Sequence, residues 1–116
     1  MSQTPNLATP ILDKSALRSL ADLFPNATPL RIPILVSVTR GKGQSLEESA
    51  TIEFGTSRIV FFESRIPLEL SEKLRLKNSD GSLETEAIVV AVRANHSHRA
   101  IAARFVAEVR NWIVQG

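Results

Sequence analysis

The spacing of apolar residues changes twice along the chain. Between Asp13 and Phe24 the apolar residues Leu17, Leu20, Ala21 and Phe24 fall at i, i+3, i+4 and i+7. That stripe predicts one amphipathic helix, capped by Asp13 or Ser15 and stopped by Pro25. From Leu30 the period is two. Ile32, Ile34, Val36 and Val38 share one face of a first strand that ends at Gly41-Lys42-Gly43, and Ala50, Ile52 and Phe54 define the inward face of a second. Alternation breaks at Gly55-Thr56-Ser57 and resumes as the β-branched and aromatic run Arg58 to Phe62, so Thr51–Phe62 reads as two strands joined by a very short turn. Pro67, Leu68, Leu70, Leu74 and Leu76 form a connector leading into a fourth strand, and Asn78-Ser79-Asp80-Gly81 is a hairpin signal. Leu83 to Ala94 is a long fifth strand, Asn95-His96-Ser97-His98 a turn, and Arg99 to Phe105 a sixth strand. Phe105, Val109, Trp112 and Ile113 then return to helical spacing.

The predicted fold is therefore mainly β: a six-stranded antiparallel β-barrel from about Leu30 to Phe105. Helices at Asp13–Phe24 and Val106–Val114 flank it, the second closing the barrel. Closing six strands into a barrel removes the unpaired edges an open sheet would expose. Residues 1–29 form a leader, the helix and a proline-containing linker, and residues 30–116 the barrel with its C-terminal helix. Both helical stripes are too wide to leave in water, so both helices are expected to pack on the barrel, with Trp112 largely buried.

Composition narrows the function classes. The 116 residues suffice for one domain, and 43% apolar and 22% charged residues are ordinary for a globular protein. Cysteine is absent, which excludes disulfides, thiol catalysis and thiolate-ligated zinc. The apolar runs fall far short of the ~20 residues of a membrane helix. The first residues lack a signal-peptide pattern, so the expected location is the cytoplasm, with no membrane partner. A net charge of +2 does not by itself imply nucleic-acid binding.

The order of elements and the Thr51–Phe62 stretch resemble the PilZ family, bacterial receptor modules for cyclic di-GMP, over roughly Leu30 to Ile113. The resemblance implies a six-stranded barrel, often with a closing C-terminal helix. It also implies a ligand held by an Arg-x-x-x-Arg segment just before the first strand and an Asp/Asn-x-Ser-x-x-Gly motif at the turn between the second and third. Paired arginines suit that role because the guanidinium is planar, permanently charged and able to bond bidentately. Here Arg31 matches the second arginine, and Ala27 stands in place of the first. In the other motif Glu53 stands for Asp/Asn, Gly55 for Ser and Arg58 for Gly. Arg31 and Glu53 are thus the candidate ligand-binding residues. Loss of an arginine and a hydroxyl costs about 3–5 kcal/mol, on the order of 10²–10³ in affinity, so cyclic di-GMP is expected to bind weakly or not at all.

Other constellations have simpler explanations. His96 and His98 could supply two metal ligands, but they sit in a turn with no third ligand marked out, and neither a metal nor a cofactor is expected. Arg93, Arg99, Arg104 and Arg110, opposed only by Glu108, could track a nucleic-acid backbone; the scarcity of aromatics favours a solvated face. Glu47-Glu48 is assigned to a solvated polar loop, and Phe61-Phe62 could present one ring inward and one outward, where an exposed ring would favour a protein contact unless a helix covers both. No nucleophile elbow, phosphate-cradling glycine loop or spaced carboxylate cluster marks an enzyme. The reading is a non-catalytic PilZ-like receptor or adaptor with a protein partner. The alternatives are a structural or interaction barrel without a nucleotide, and a small nucleic-acid-binding barrel.

Overall fold

The computed structural model describes residues 16–95, 98–107 and 109. Six strands follow one another: β1 (Thr28–Arg40), β2 (Gln44–Gly55), β3 (Ile59–Ser64), β4 (Lys73–Asn78), β5 (Glu84–Asn95) and β6 (His98–Phe105). They close into a barrel in the order β1-β2-β3-β6-β5-β4, every neighbouring pair antiparallel. Two three-stranded meanders are thus joined by the connector 65–72, which crosses one end. A short helix over residues 16–21, α1, precedes the barrel. It ends before Phe24 because the chain tightens into i→i+3 bonds, from Leu23 N to Leu20 O and from Phe24 N to Ala21 O. The first strand opens at Thr28, ahead of the expected Leu30. Of the closing helix expected over Val106–Val114, residues 108 and 110–114, Trp112 among them, lie outside the described residues, and residues 106–107 form a bend.

Turn chemistry fixes the registers. Gly41 and Gly43 take φ of 53° and 84° in the three-residue loop between β1 and β2, a region where a Cβ would strain the chain. The hairpin at Asn78–Gly81 forms as expected. Gly81 has φ of 77°, and the Asn78 side chain accepts from Leu83 N at 3.0 Å.

Two apolar layers hold the molecule. The barrel interior is filled from all six strands by Val36, Val38, Ile52, Val60, Phe62, Leu76, Val89, Ile101 and their neighbours, with Leu68 of the connector plugging one end. The second layer lies outside the barrel, where Leu17, Leu20 and Ala21 of α1 cover Phe61, Ala100 and Ala102. Phe61 and Phe62 are both completely buried, one in each layer. The alanines of β6 are small enough to let α1 settle against the sheet, and Phe24 meets Phe61 edge-on with ring centroids 5.1 Å apart.

Bulges decide which residues reach which layer. Ile52 pairs with Phe62 and Phe54 with Phe61, so Glu53 is an extra residue on β2 and the strand changes parity there. Phe54 therefore packs in the outer layer under α1 and not, as the alternation suggested, inside the barrel. A second bulge between Val89 and Ala91 does the same to β5: Ala87, Val89 and Val92 face in, while Val90 and Ala91 face α1.

The connector is clasped to the barrel end. Arg40 donates from Nε and Nη2 to the two carboxylate oxygens of Glu72 at 2.7 and 2.8 Å, and from Nη2 to Pro67 O at 3.0 Å. Arg99 adds a bond to Leu68 O at 2.8 Å. The Arg40 guanidinium holds the Glu72 carboxyl below its ordinary value.

Two outcomes follow from this architecture. Phe61→Ala should destabilise the fold by about 3–5 kcal/mol, because it empties the outer layer where α1 and the barrel meet; chemical denaturation reads it. Glu72 has a depressed pKa in the folded state, so its contribution is complete above the ordinary carboxylate range and is lost as pH falls through the folded value. Glu72→Gln should cost about 1 kcal/mol at neutral pH and flatten the acid-side decline of the melting temperature relative to the parent protein.

Candidate functional site

The register of β1 against β2 brings the two candidate residues together. Pro29 pairs with Phe54 and Ile32 with Ile52, so Leu30 and Arg31 bulge opposite the single residue Glu53. Glu53 is thus the residue at which irregularities of both its neighbouring strands coincide. Arg31 is exposed and Glu53 half-buried. No hydrogen bond or ion pair joins their side chains to each other or to any other described residue.

The other motif positions are occupied in ways that work against an arginine-built phosphate grip. Ala27 packs against the outer apolar layer. An arginine there would start from a position that the α1–barrel contact uses for packing. Gly55 is buried at the end of β2, paired with Thr28 on one side and Val60 on the other. The turn between β2 and β3 is organised by Thr56, whose hydroxyl oxygen accepts from Arg58 N at 3.1 Å and Ile59 N at 3.0 Å. Thr56 was not singled out from the sequence, although a Thr immediately before two turn residues is the signal for such a cap.

Glu53 lines a groove of about 750 Å³ over the outer face of β2 and β3. Glu47, Glu48 and Glu63 line it too, against the guanidinium of Arg65, so carboxylates outnumber cationic groups. Arg31 does not reach it. Glu48 departs from the expectation of a solvated loop: it is a strand residue that anchors the chain leaving β3. Its carboxylate accepts from the hydroxyl of the fully buried Ser64 and from Arg65 N, both at 2.7 Å. This bond satisfies Ser64, the one buried polar side chain among the described residues.

The remaining candidates are dispersed. His98 opens β6 and accepts from Arg65 Nε at 3.4 Å; His96 lies outside the described residues. Among the described residues no group of three or more His, Cys, Asp or Glu is placed to hold a metal ion. The arginines do not make one stripe. Arg93 and Arg99 lie near one end of the β5–β6 pair, Arg99 turned to the connector, while Arg104 lies at the other end beside Ile59. Arg110 is outside the described residues. No described helix is long and apolar enough to cross a membrane.

In comparisons with known proteins, no family model matches this chain and no curated protein is significantly similar to it.

Proposed function

We propose that this chain is a non-catalytic PilZ-like barrel whose cyclic di-GMP grip has been dismantled, and that it serves as a cytoplasmic adaptor in cyclic di-GMP signalling through contact with a protein partner. Support for the PilZ-like part is the closed barrel of six antiparallel strands with the motif positions at the start of β1 and the β2–β3 turn. The observation that carries the loss of ligand is the position of Ala27. It is enlisted in the apolar layer beneath α1, leaving Arg31 as a single guanidinium where two would be needed. The carboxylate of Glu53, the β2 residue opposite Arg31, opposes a ligand with two phosphates. A barrel with no connection to the nucleotide remains the alternative reading. Recovery of the protein together with an enzyme that makes or degrades cyclic di-GMP would separate the two.

Calorimetric titration of the full chain with cyclic di-GMP should show no saturation below about 0.1 mM, and any weaker binding should vanish in Arg31→Ala. Micromolar binding abolished by Arg31→Ala would mean that the grip is intact. Micromolar binding indifferent to that substitution would place the ligand elsewhere on the barrel.

A further inference from the structure

The fold brings Arg58, at the Gly position of the β2–β3 motif, and Arg104 of β6 to one small cavity. Arg104 pairs with Ile59 across β3 and β6, and Phe105 N donates to Arg58 O at 2.9 Å, so the two backbones are locked side by side at one barrel end. The Thr56 hydroxyl holds the turn carrying Arg58, and Val106 N is held by Glu86 O at 2.9 Å. Both arginines are exposed, and with Val106 and Val109 they line a concavity of about 430 Å³. That is within the range of small-molecule sites.

Charge sets the class of ligand. Arg40 and Arg75 form ion pairs with glutamates, whereas among the described residues neither Arg58 nor Arg104 has a carboxylate within ion-pair distance. Two arginines lining one cavity attract an anion more strongly than either would alone. Their planar forks fit a tetrahedral group with several charged oxygens better than a single carboxylate. We propose that this end of the barrel binds a phosphate group, either free or carried as a monoester on a molecule no larger than a mononucleotide. The site uses neither Arg31 nor Glu53 but includes Arg58, the residue at the Gly position of the β2–β3 motif, so the Arg31 and Arg104 substitutions separate the two readings.

A ¹H–¹⁵N NMR titration of the full chain with inorganic phosphate and with phenyl phosphate, with acetate as a carboxylate control, tests this. Saturable shifts are expected at Ser57, Arg58, Arg104, Phe105 and Val106, with a Kd of about 1 mM or tighter for at least one of the phosphates. Acetate should leave these signals in place. Tighter binding of phenyl phosphate would identify a monoester site, and tighter binding of inorganic phosphate a free-phosphate site. Arg58→Gln and Arg104→Gln, both surface changes whose spectra report whether the fold persists, should each weaken binding about tenfold or more. Shifts that do not saturate, that spread to Arg18, Arg31 and Arg93, or that survive both substitutions in a folded protein would overturn the proposal.

Discussion

Successive side chains of a strand point to opposite faces, so a strand apolar at every position must be covered on both. The apolar runs 59–62 of β3 and 100–103 of β6 impose that constraint on this molecule. Phe62, Ile101 and Ala103 enter the barrel, which leaves Phe61, Ala100 and Ala102 on its outside. Water cannot cover that outer patch without a large loss of hydrophobic free energy. The amphipathic stripe of α1 covers it instead, and the chain between α1 and β1 is drawn in with it. The helix is therefore part of how β3 and β6 are stabilised.

The bulges follow from the same demand. Phe54 and Ala91 reach the outer layer because β2 and β5 each carry one extra residue, which shifts parity midway along the strand. A regular β2 would direct Phe54 into an interior already filled by Phe62, Ile52 and Val60. The extra residue on β2 is Glu53, and it faces the bulge at Leu30–Arg31. The irregular rung of the barrel and the motif positions of the resemblance coincide. Such irregularities commonly lie where a barrel re-aims side chains toward a ligand, which is why that rung is the natural place to look for one.

The polar features divide between holding the fold and presenting charge. Arg40–Glu72, Glu48–Ser64 and Arg99–Leu68 O all tie down the connector that crosses the barrel end, where backbone groups lack strand partners. Arg31, Arg58 and Arg104 are exposed and take no part in that bonding. Arg31 sits next to a carboxylate-lined groove, while the other two share a cavity at the β3–β6 end.

Period alone gave the six strands, the turn glycines and the α1 face of Leu17, Leu20 and Ala21, because apolar spacing and backbone sterics act over a few residues at a time. The long fifth strand was legible for the same reason. Period cannot register a bulge, since one extra residue leaves local composition unchanged while reversing every side chain beyond it; hence Phe54 was assigned to the wrong face. Nor did local reading show that Glu48 bonds Ser64 and Arg65, or that Glu72 meets Arg40 across 32 residues, since those partners are fixed only when the barrel closes. The motif positions were visible as residues. That Ala27 belongs to an apolar layer, that Arg31 lies opposite Glu53 without lining its groove, and that Arg58 shares a cavity with Arg104 were decided by tertiary structure, because distance between side chains is a property of strand register and barrel closure.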